Sequence, residues 1–446
     1  MTMTESRTEA AAETTHAPAH AATEPSGLAS WLTTGDHTRV GRLYVVTSLV
    51  LGVGTLGLGA ALGFDKIDPS GAQIPLRTIT QLFSLYGWAF ALAVTLPLLL
   101  GLAIAIVPLQ VGARSVAFPR AAALSYWGWL VGVGLMVASY ASDGGPTGDK
   151  AEAVELFLAA VFVMAVALVL ACVCLATTVL TLRAPGMTMP RVPLFSWASL
   201  VSAISLVVSL PVLAGLVILL YVDHRYGQVV FGGTTALSTH LDWAITAPQI
   251  SLYALAGLGI VADVLPAAAR TRGHLRGGLF GAIGLAGIVG IGAFYQPAFW
   301  PDVRTEAVFT IANVLVVIAP LAVLAATVST FMGGRTRLLS PLLWGVCAAV
   351  VYVMAAGLGV VMLFTDLDLE ATVFPLGQFN ATLMAGLLAG IGGFVYWGPK
   401  LWGRMFPEGA AKGLAALGLL GTLALVLPDV INGWINDQPA SEVNFE

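Results

Sequence analysis

The stretch Glu370–Met405, EATVFPLGQFNATLMAGLLAGIGGFVYWGPKLWGRM, carries the clearest structural signal in the chain. Between Phe374 and Trp397 it is apolar and long enough to cross a bilayer, which takes about 20 residues at a rise of ~1.5 Å each. Two amide side chains, Gln378 and Asn380, lie near the start of this run. Because a buried amide in a membrane helix is costly without a partner, the pair marks either a pocket or a contact between helices.

The composition is that of an integral membrane protein. Of 446 residues, 58% are hydrophobic and only 10% are charged, with a mean hydropathy of +0.88, whereas soluble globular chains carry about 25% charged residues. The predicted fold class is an all-α integral membrane protein that is surrounded by lipid and has no nucleic-acid partner. About eleven transmembrane helices are predicted from the apolar runs 42–64, 79–107, 121–140, 153–182, 195–221, 243–268, 277–299, 306–331, 338–364, 373–398 and 411–431.

The distribution of charge predicts the topology of these helices. With the N-terminus in the cytoplasm, twelve Lys and Arg residues fall in cytoplasmic loops and five in external loops, as the positive-inside rule requires. Residues 1–40 lack the apolar core of a signal peptide and are predicted to be a disordered cytoplasmic tail. Residues 41–431 are the predicted transmembrane domain, and residues 432–446 are a predicted acidic tail on the external side.

Several stretches resemble subunit I of the haem–copper oxidases, in the cytochrome c oxidase branch. The similar blocks occur in family order: WLTTGDHTRVGRLYVVTS at Trp31–Ser48, VPLQVGARSVAFPRAAALSYW at Val107–Trp127, LRAPGMTMPRVPLFSW at Leu182–Trp197, STHLDWAITAPQISLY at Ser238–Tyr253 and FVYWGPKLWGRM at Phe394–Met405. The resemblance implies a cytochrome c oxidase subunit I-like bundle in a bacterial plasma membrane, within a respiratory-type complex of several membrane subunits. It also implies two haems and a copper, which the family holds through six histidines.

At the haem-ligand positions that the resemblance implies, this chain has other residues. The ligand on the second helix of the family falls on Tyr86, in the run ITQLFSLYGW. The two ligands on the tenth helix, separated by one Phe, fall on Gln378 and Asn380. No haem-binding residue is therefore expected.

The copper-ligand positions have also changed. The ligand that precedes a proline on the sixth helix falls on Ala247. Two adjacent ligands on the seventh helix fall on Phe294 and Tyr295, when that run is anchored at Glu306–Phe309. No copper site and no catalytic residue are therefore expected.

A count of histidines leads to the same expectation without any alignment. The six histidines are His16, His20, His37, His224, His240 and His274; none falls inside a predicted membrane run, and none follows residue 274. The remaining central polar candidates are predicted to be neutral: Tyr86, Gln249, Ser251, Tyr253, Tyr295, Gln296, Asn313, Gln378 and Asn380.

The polar residues at the haem positions have two interpretations each. Tyr86 could bind iron as a phenolate, but no Lys or Arg is in reach by sequence, so a core or interface tyrosine is favoured. Gln378 and Asn380 are two residues apart and diverge by roughly 200° on a helix. Hydrogen bonds between helices, worth about 0.6–2 kcal/mol each, are favoured over ligand binding.

Three functions stay open at this point. The first is a redox-inactive relative of oxidase subunit I that serves as a scaffold or accessory subunit of a membrane complex. The second is a working terminal oxidase that holds haem and copper through atypical ligands. The third is a carrier or channel that uses the vacated haem volume, which would require a cavity near Tyr86 and Gln378.

Overall fold

The computed structural model describes residues 27, 30–31, 33–67, 74–228, 237–246, 250–271, 273, 275–291, 307–333, 338–364, 367, 369 and 372–435. Within these residues the chain is helical and contains no strand, which confirms the all-α prediction. The helices are α1 His37–Ile67, α2 Leu76–Trp88, α3 Leu96–Val111, α4 Pro119–Ala141, α5 Ala151–Thr181, α6 Leu194–Tyr226, α7 Leu237–Thr246, α8 Ile250–Ala269, α9 Arg276–Gly290, α10 Ala307–Val316, α11 Ile318–Gly333, α12 Ser340–Val361, α13 Phe374–Trp402 and α14 Glu408–Ile435.

These helices match the predicted membrane runs. Ten helical segments in the described part are long and apolar enough to cross a membrane, and α9 is a shorter apolar helix at the place of the predicted run 277–299. The predicted run 243–268 corresponds to α7 and α8, and the run 306–331 corresponds to α10 and α11. The protein is therefore a multi-pass membrane protein.

Three spans form the centre of the bundle. The most apolar part of the α2–α3 span is 100% buried inside the protein, and that of α8 and α13 is 83% and 78% buried, against 28% for α1 and 17% for α14. α13 packs against α3, α8, α12 and α14. α13, which forms most of the stretch Glu370–Met405, therefore lies at the centre of the bundle. The less buried helices present apolar side chains to lipid.

A π-helical segment, Ala89–Thr95, joins α2 to α3 without a break, and all of its residues are buried. Two neighbouring helices hydrogen-bond to it. The Trp129 indole on α4 donates to the Leu92 carbonyl at 2.9 Å, and the Thr95 hydroxyl donates to the Leu383 carbonyl on α13 at 3.3 Å. π-helical backbone is rare and often lies at functional sites, and this segment begins three residues after Tyr86.

The end of α13 is fixed by local backbone chemistry. Gly403 follows the helix at φ +69°, and its N–H donates to the Pro399 carbonyl at 2.9 Å. This left-handed conformation is easy only for glycine and terminates a helix. The basic residues Lys400 and Arg404 flank this end of the helix.

The chain divides into two compact units, residues 1–34 and 35–446. The helices α1 to α14 all belong to the second unit. α14 ends at Ile435, four residues beyond the predicted run, and residues 436–446 lie outside the described part, as does most of the predicted tail 1–40. α6 ends at Tyr226 rather than at residue 221, so His224, predicted to lie in a loop, falls within its last turn.

Candidate functional site

Two of the three positions at which the resemblance implies haem ligands are hydrogen-bonded directly to each other. The Tyr86 hydroxyl on α2 donates to the Asn380 side-chain oxygen on α13 at 2.9 Å, in a buried environment. The Asn380 amide nitrogen in turn faces a carboxylate oxygen of Asp429 on α14, at 3.5 Å. Three helices therefore meet at one polar chain inside the bundle, and we call Tyr86, Asn380 and Asp429 the polar triad.

The ring of Tyr86 is closely packed. The residue is 4% exposed, its ring centre lies 5.6 Å from that of Phe90, and a Cβ built on Gly59 of α1 would lie 2.9 Å from a Tyr86 ring carbon. On α13, Phe379 is 5% exposed and lies 3.9 Å from a Cβ built on Gly87. Aromatic side chains and helix backbone thus fill the volume around this position.

Gln378 takes no part in the polar triad. A Cβ built on Gly359 of α12 would lie 2.5 Å from the Gln378 amide nitrogen, so this side chain packs against the backbone of α12. The expected divergence of Gln378 and Asn380 is the reason, because residues two apart on a helix face different neighbours. The structure thus brings Tyr86 and Asn380 together and leaves Gln378 at a separate helix contact.

The predicted copper-ligand positions, Ala247, Phe294 and Tyr295, lie outside the described residues. Among the described residues, no group of three or more His, Cys, Asp or Glu side chains could hold a metal ion.

The prediction that the membrane interior contains only neutral polar candidates is wrong. Asp263 lies inside α8 and Asp429 inside α14, both within predicted membrane runs. A single carboxylate barely changes the average hydropathy of a run of this length, which is why both were missed. In each helix a proline lies close to the acidic residue: Pro266 near Asp263 and Pro428 beside Asp429. An acidic residue close to a proline in an apolar run is the sequence signal that could have identified both residues.

Asp263 serves as a cap for another helix. Its two carboxylate oxygens accept the backbone N–H groups of Leu194 at 3.0 Å and Phe195 at 2.9 Å, at the start of α6, where Pro193 provides no side-chain cap. Gln110 of α3 donates to the same carboxylate at 3.5 Å. The first N–H groups of a helix have no partner within the helix, so Asp263 satisfies two of them and ties α8 to α6.

A cavity of about 290 Å³ lies beside Asp263. Arg276, which also lines it, donates to the Val192 carbonyl at 2.5 Å and to the Pro190 carbonyl at 3.3 Å. These bonds hold the loop before α6 against the start of α9. The cavity walls are otherwise mostly apolar, with hydroxyl groups from Ser329 and Thr330 on α11.

A cluster of charged side chains lies at the start of α2, at the end of the helix away from Tyr86. Arg77 donates to both oxygens of Asp143 at 2.9 Å and pairs with Asp149 at 2.5 Å. Gln81 also donates to Asp143, at 2.7 Å. The hydrogen bond from Gln81, followed by the attraction of Arg77 and Lys150, lowers the pKa of Asp143 below its ordinary value, against an opposing desolvation. This cluster fixes the loop between α4 and α5.

Comparison with known proteins identifies the chain. The sequence profile of the cytochrome c and quinol oxidase polypeptide I family matches residues 39–445. The chain belongs to this family. The resemblance to subunit I of the haem–copper oxidases is thereby confirmed at the level of the family, and the bundle is that of an oxidase subunit I-like membrane protein, from a family whose members sit in oxidase complexes with other subunits.

The relatives include both branches of the family. A Streptomyces avermitilis protein named as a cytochrome c oxidase subunit 1-beta is 30% identical over 415 residues, which are 86% of this chain and 72% of that protein. Cytochrome c oxidase subunit 1 of Bacillus subtilis is 26% identical over 419 residues, 87% of this chain and 66% of that protein. Quinol oxidase subunit 1 of the same organism is 26% identical over 439 residues, 90% of this chain and 66% of that protein.

The residues at the positions where the resemblance implies haem ligands do not fit a haem there. Haem iron is held in proteins by His, Cys, Met or Tyr side chains. Here Tyr86 is a neutral phenol that donates its proton, and Asn380 is a carboxamide. Bonds from a transition metal to nitrogen or oxygen are about 2 Å long, so a metal between two ligands needs them ~4 Å apart. The two oxygens lie 2.9 Å apart, which leaves no place for iron between them.

Proposed function

We propose that this chain is a redox-inactive member of the family that acts as a scaffold or accessory subunit of a respiratory-type membrane complex. The observation that carries this proposal is the 2.9 Å hydrogen bond between Tyr86 and Asn380, two positions at which the resemblance implies haem ligands. A side-chain pair that bonds across the former ligand positions keeps the helices together without a cofactor. The fold and its loop motifs then remain useful for packing against other subunits.

The direct test is an absorption spectrum of the full-length protein, purified from its own membranes and compared in oxidised and reduced states. We expect no haem bands, and we expect other membrane proteins to copurify with the chain. A haem protein produced in the same cells serves as the control for haem supply. Haem bands in proportion to the protein would refute the proposal.

The second candidate is a working oxidase subunit with atypical ligands, and family membership supports it. It requires haem and copper, together with oxygen consumption driven by an electron donor.

The third candidate, a carrier or channel in the haem volume, is disfavoured by the close packing of Tyr86 against Gly59 and Phe90.

We also infer that the N-terminus is cytoplasmic and the C-terminus external in a bacterial plasma membrane, with the chain before α1 and the chain after α14 on opposite sides. The support is the excess of basic residues in alternate loops, among them Arg183, Arg191 and Arg276. Single cysteines introduced at Arg191 and at Asp149 test this, because an impermeant thiol reagent added to intact cells should label only the second. Labelling of only the cysteine introduced at Arg191 would show that the topology is the reverse of the one proposed.

A further inference from the structure

The cavity beside Asp263 has a polar end and an apolar end. Its volume is about 290 Å³, close to the lower limit of ligand pockets, ~300 Å³. Its polar end is lined by Arg276, the first residue of α9, and by Ser329 and Thr330, which lie close to the end of α11. Val323 of α11 also lines the cavity, about 10 Å deeper at a rise of ~1.5 Å per residue. The cavity therefore runs from the ends of the helices into the membrane-spanning part.

The deeper walls of the cavity are apolar. They are formed by side chains of α8, α9 and α11: Ala262, Leu265, Leu279, Val323 and Ala326. Contact between such side chains and water is unfavourable, and the walls offer no hydrogen bond to an ion that would enter alone. An acyl chain, which runs along the helices from the membrane surface inward, matches these walls.

The guanidinium of Arg276 is fixed in position, but only part of it is used. One nitrogen, Nη2, donates to the Val192 carbonyl at 2.5 Å and to the Pro190 carbonyl at 3.3 Å. Within the described part of the chain, the N–H groups on Nε and Nη1 make no hydrogen bond, and no carboxylate forms an ion pair with Arg276. The planar fork of a guanidinium matches the oxygens of a phosphate group. Arg276 is therefore positioned to donate to a phosphate at the polar end of the cavity.

The Asp263 carboxylate lines the same cavity but is engaged by other groups of the protein. Its oxygens accept the N–H groups of Leu194 at 3.0 Å and Phe195 at 2.9 Å, and Gln110 donates to it at 3.5 Å. Both oxygens thus bond to α6, and one also to α3. These bonds leave Arg276 as the charged group that a ligand headgroup can bind.

The loops at this end of the bundle are strongly basic. Five arginines belong to the loop between α8 and α9, the start of α9 and the loop between α11 and α12: Arg270, Arg272, Arg276, Arg335 and Arg337. The sequence contains no acidic residue at positions 264–301 or 307–365. Basic pockets between membrane helices attract anionic lipid headgroups. The charge of these loops therefore favours a headgroup with a net negative charge.

We propose that this cavity binds one anionic phospholipid of the phosphatidylglycerol type. The phosphate accepts hydrogen bonds from the Nε and Nη1 groups of Arg276, and the first part of one acyl chain lies against Leu279, Val323 and Ala326. The lipid joins α8, α9 and α11 at this end of the bundle. The site does not depend on whether the chain is redox-inactive.

Native mass spectrometry of the full-length protein, stripped of lipid in detergent and then titrated with phosphatidylglycerol, tests this proposal. We expect one lipid to bind with saturation. Phosphatidylcholine, which has no net charge, and inorganic phosphate, which has no acyl chain, should both bind more weakly. Equal binding of phosphatidylcholine would overturn the proposed headgroup, and equal binding of inorganic phosphate would show an anion site in place of a lipid site.

Two variants change the two ends of the cavity separately. Arg276→Gln removes the guanidinium and should weaken phosphatidylglycerol binding about tenfold, the factor that one charge-assisted hydrogen bond contributes. Arg404→Gln, the same change at an exposed arginine outside the cavity lining, should leave binding unchanged. Ala326→Leu fills the apolar end and should also weaken binding. Its matched control is Ala325→Leu, at an exposed neighbour on the same helix.

The proposal remains testable if Arg276→Gln does not fold, because Ala326→Leu keeps the bonds from Arg276 to the loop before α6. Unchanged phosphatidylglycerol binding in either variant would overturn the proposal. Binding that is lost in Ala325→Leu and retained in Ala326→Leu would place the lipid on the outer surface of α11, which would also overturn it.

Discussion

At the scale of single residues, the hydrogen bond from Tyr86 to Asn380 is the feature that separates this chain from what its family resemblance implies. The bond joins two helices through side chains that are each less than 5% exposed. Breaking one partner of such a pair leaves a buried acceptor without its hydrogen bond, a cost of about 1–3 kcal/mol. Stability measurements can therefore detect it.

We expect Tyr86→Phe to lower the free energy of unfolding by about 1–3 kcal/mol, because Asn380 loses the donor to its oxygen. The matched control is Tyr226→Phe, the same change at a residue that is 69% exposed, which should leave stability unchanged. Thermal unfolding in detergent measures both. Equal stability of Tyr86→Phe and wild type would mean that the bond is absent in the folded protein.

The pH dependence of stability should reflect Asp143. The pKa of Asp143 is lowered in the folded protein, mainly by the hydrogen bond from Gln81 and then by Arg77. Ionised Asp143 therefore stabilises the folded protein at pH values above the pKa that this residue has in the unfolded chain. That stabilisation is lost as the pH falls through the pKa of Asp143 in the folded protein. Asp143→Asn should therefore be less stable than wild type at neutral pH, with the difference vanishing in acid. A melting-temperature series against pH measures this, and Asp149→Asn, whose side chain is 72% exposed, should show a smaller difference. A stability difference between wild type and Asp143→Asn that grows as the pH falls would contradict the lowered pKa of Asp143.

At the scale of helices, α1 lies so close to Tyr86 of α2 at Gly59 that a larger residue there would force a shift. A Cβ at Gly59 would lie 2.9 Å from the Tyr86 ring, whereas a Cβ at Gly57 meets nothing within 4 Å. We expect Gly59→Ala to destabilise the protein by about 1–3 kcal/mol through overpacking. Gly57→Ala, two residues away on the same helix, should be neutral or stabilising by up to about 1 kcal/mol. Chemical denaturation of the two variants side by side tests this, and equal effects would contradict the packing described here.

The cap that Asp263 places on α6 gives a local prediction. In Asp263→Ala the N–H groups of Leu194 and Phe195 lose their acceptor, and loss of a helix cap costs about 0.5–2 kcal/mol. Hydrogen exchange followed by mass spectrometry should show faster exchange in the first turn of α6. Peptides from the middle of α6 are the internal control, and unchanged exchange in the first turn would rule out the cap.

At the scale of the whole molecule, the sequence was sufficient for the fold and only partly for the site. Runs of apolar residues predict the spans because each helix must satisfy its own backbone in lipid, whereas the central place of α13 is seen only in the structure. The bond between Tyr86 and Asn380 could not be read from sequence, because it joins residues almost three hundred positions apart. The role of Asp263 and Asp429 was not predicted, because the groups that contact them lie on other helices. In addition, one charged residue barely changes the mean hydropathy of a long apolar run.

The central claim is that the side chains of Tyr86 and Asn380 join the helices at a place where the resemblance implies a haem. Elemental analysis of iron and copper per polypeptide, in protein purified from native membranes, tests it most directly. The account predicts far less than one iron and one copper per chain. Stoichiometric iron, removed together with haem when the protein is denatured, would contradict it.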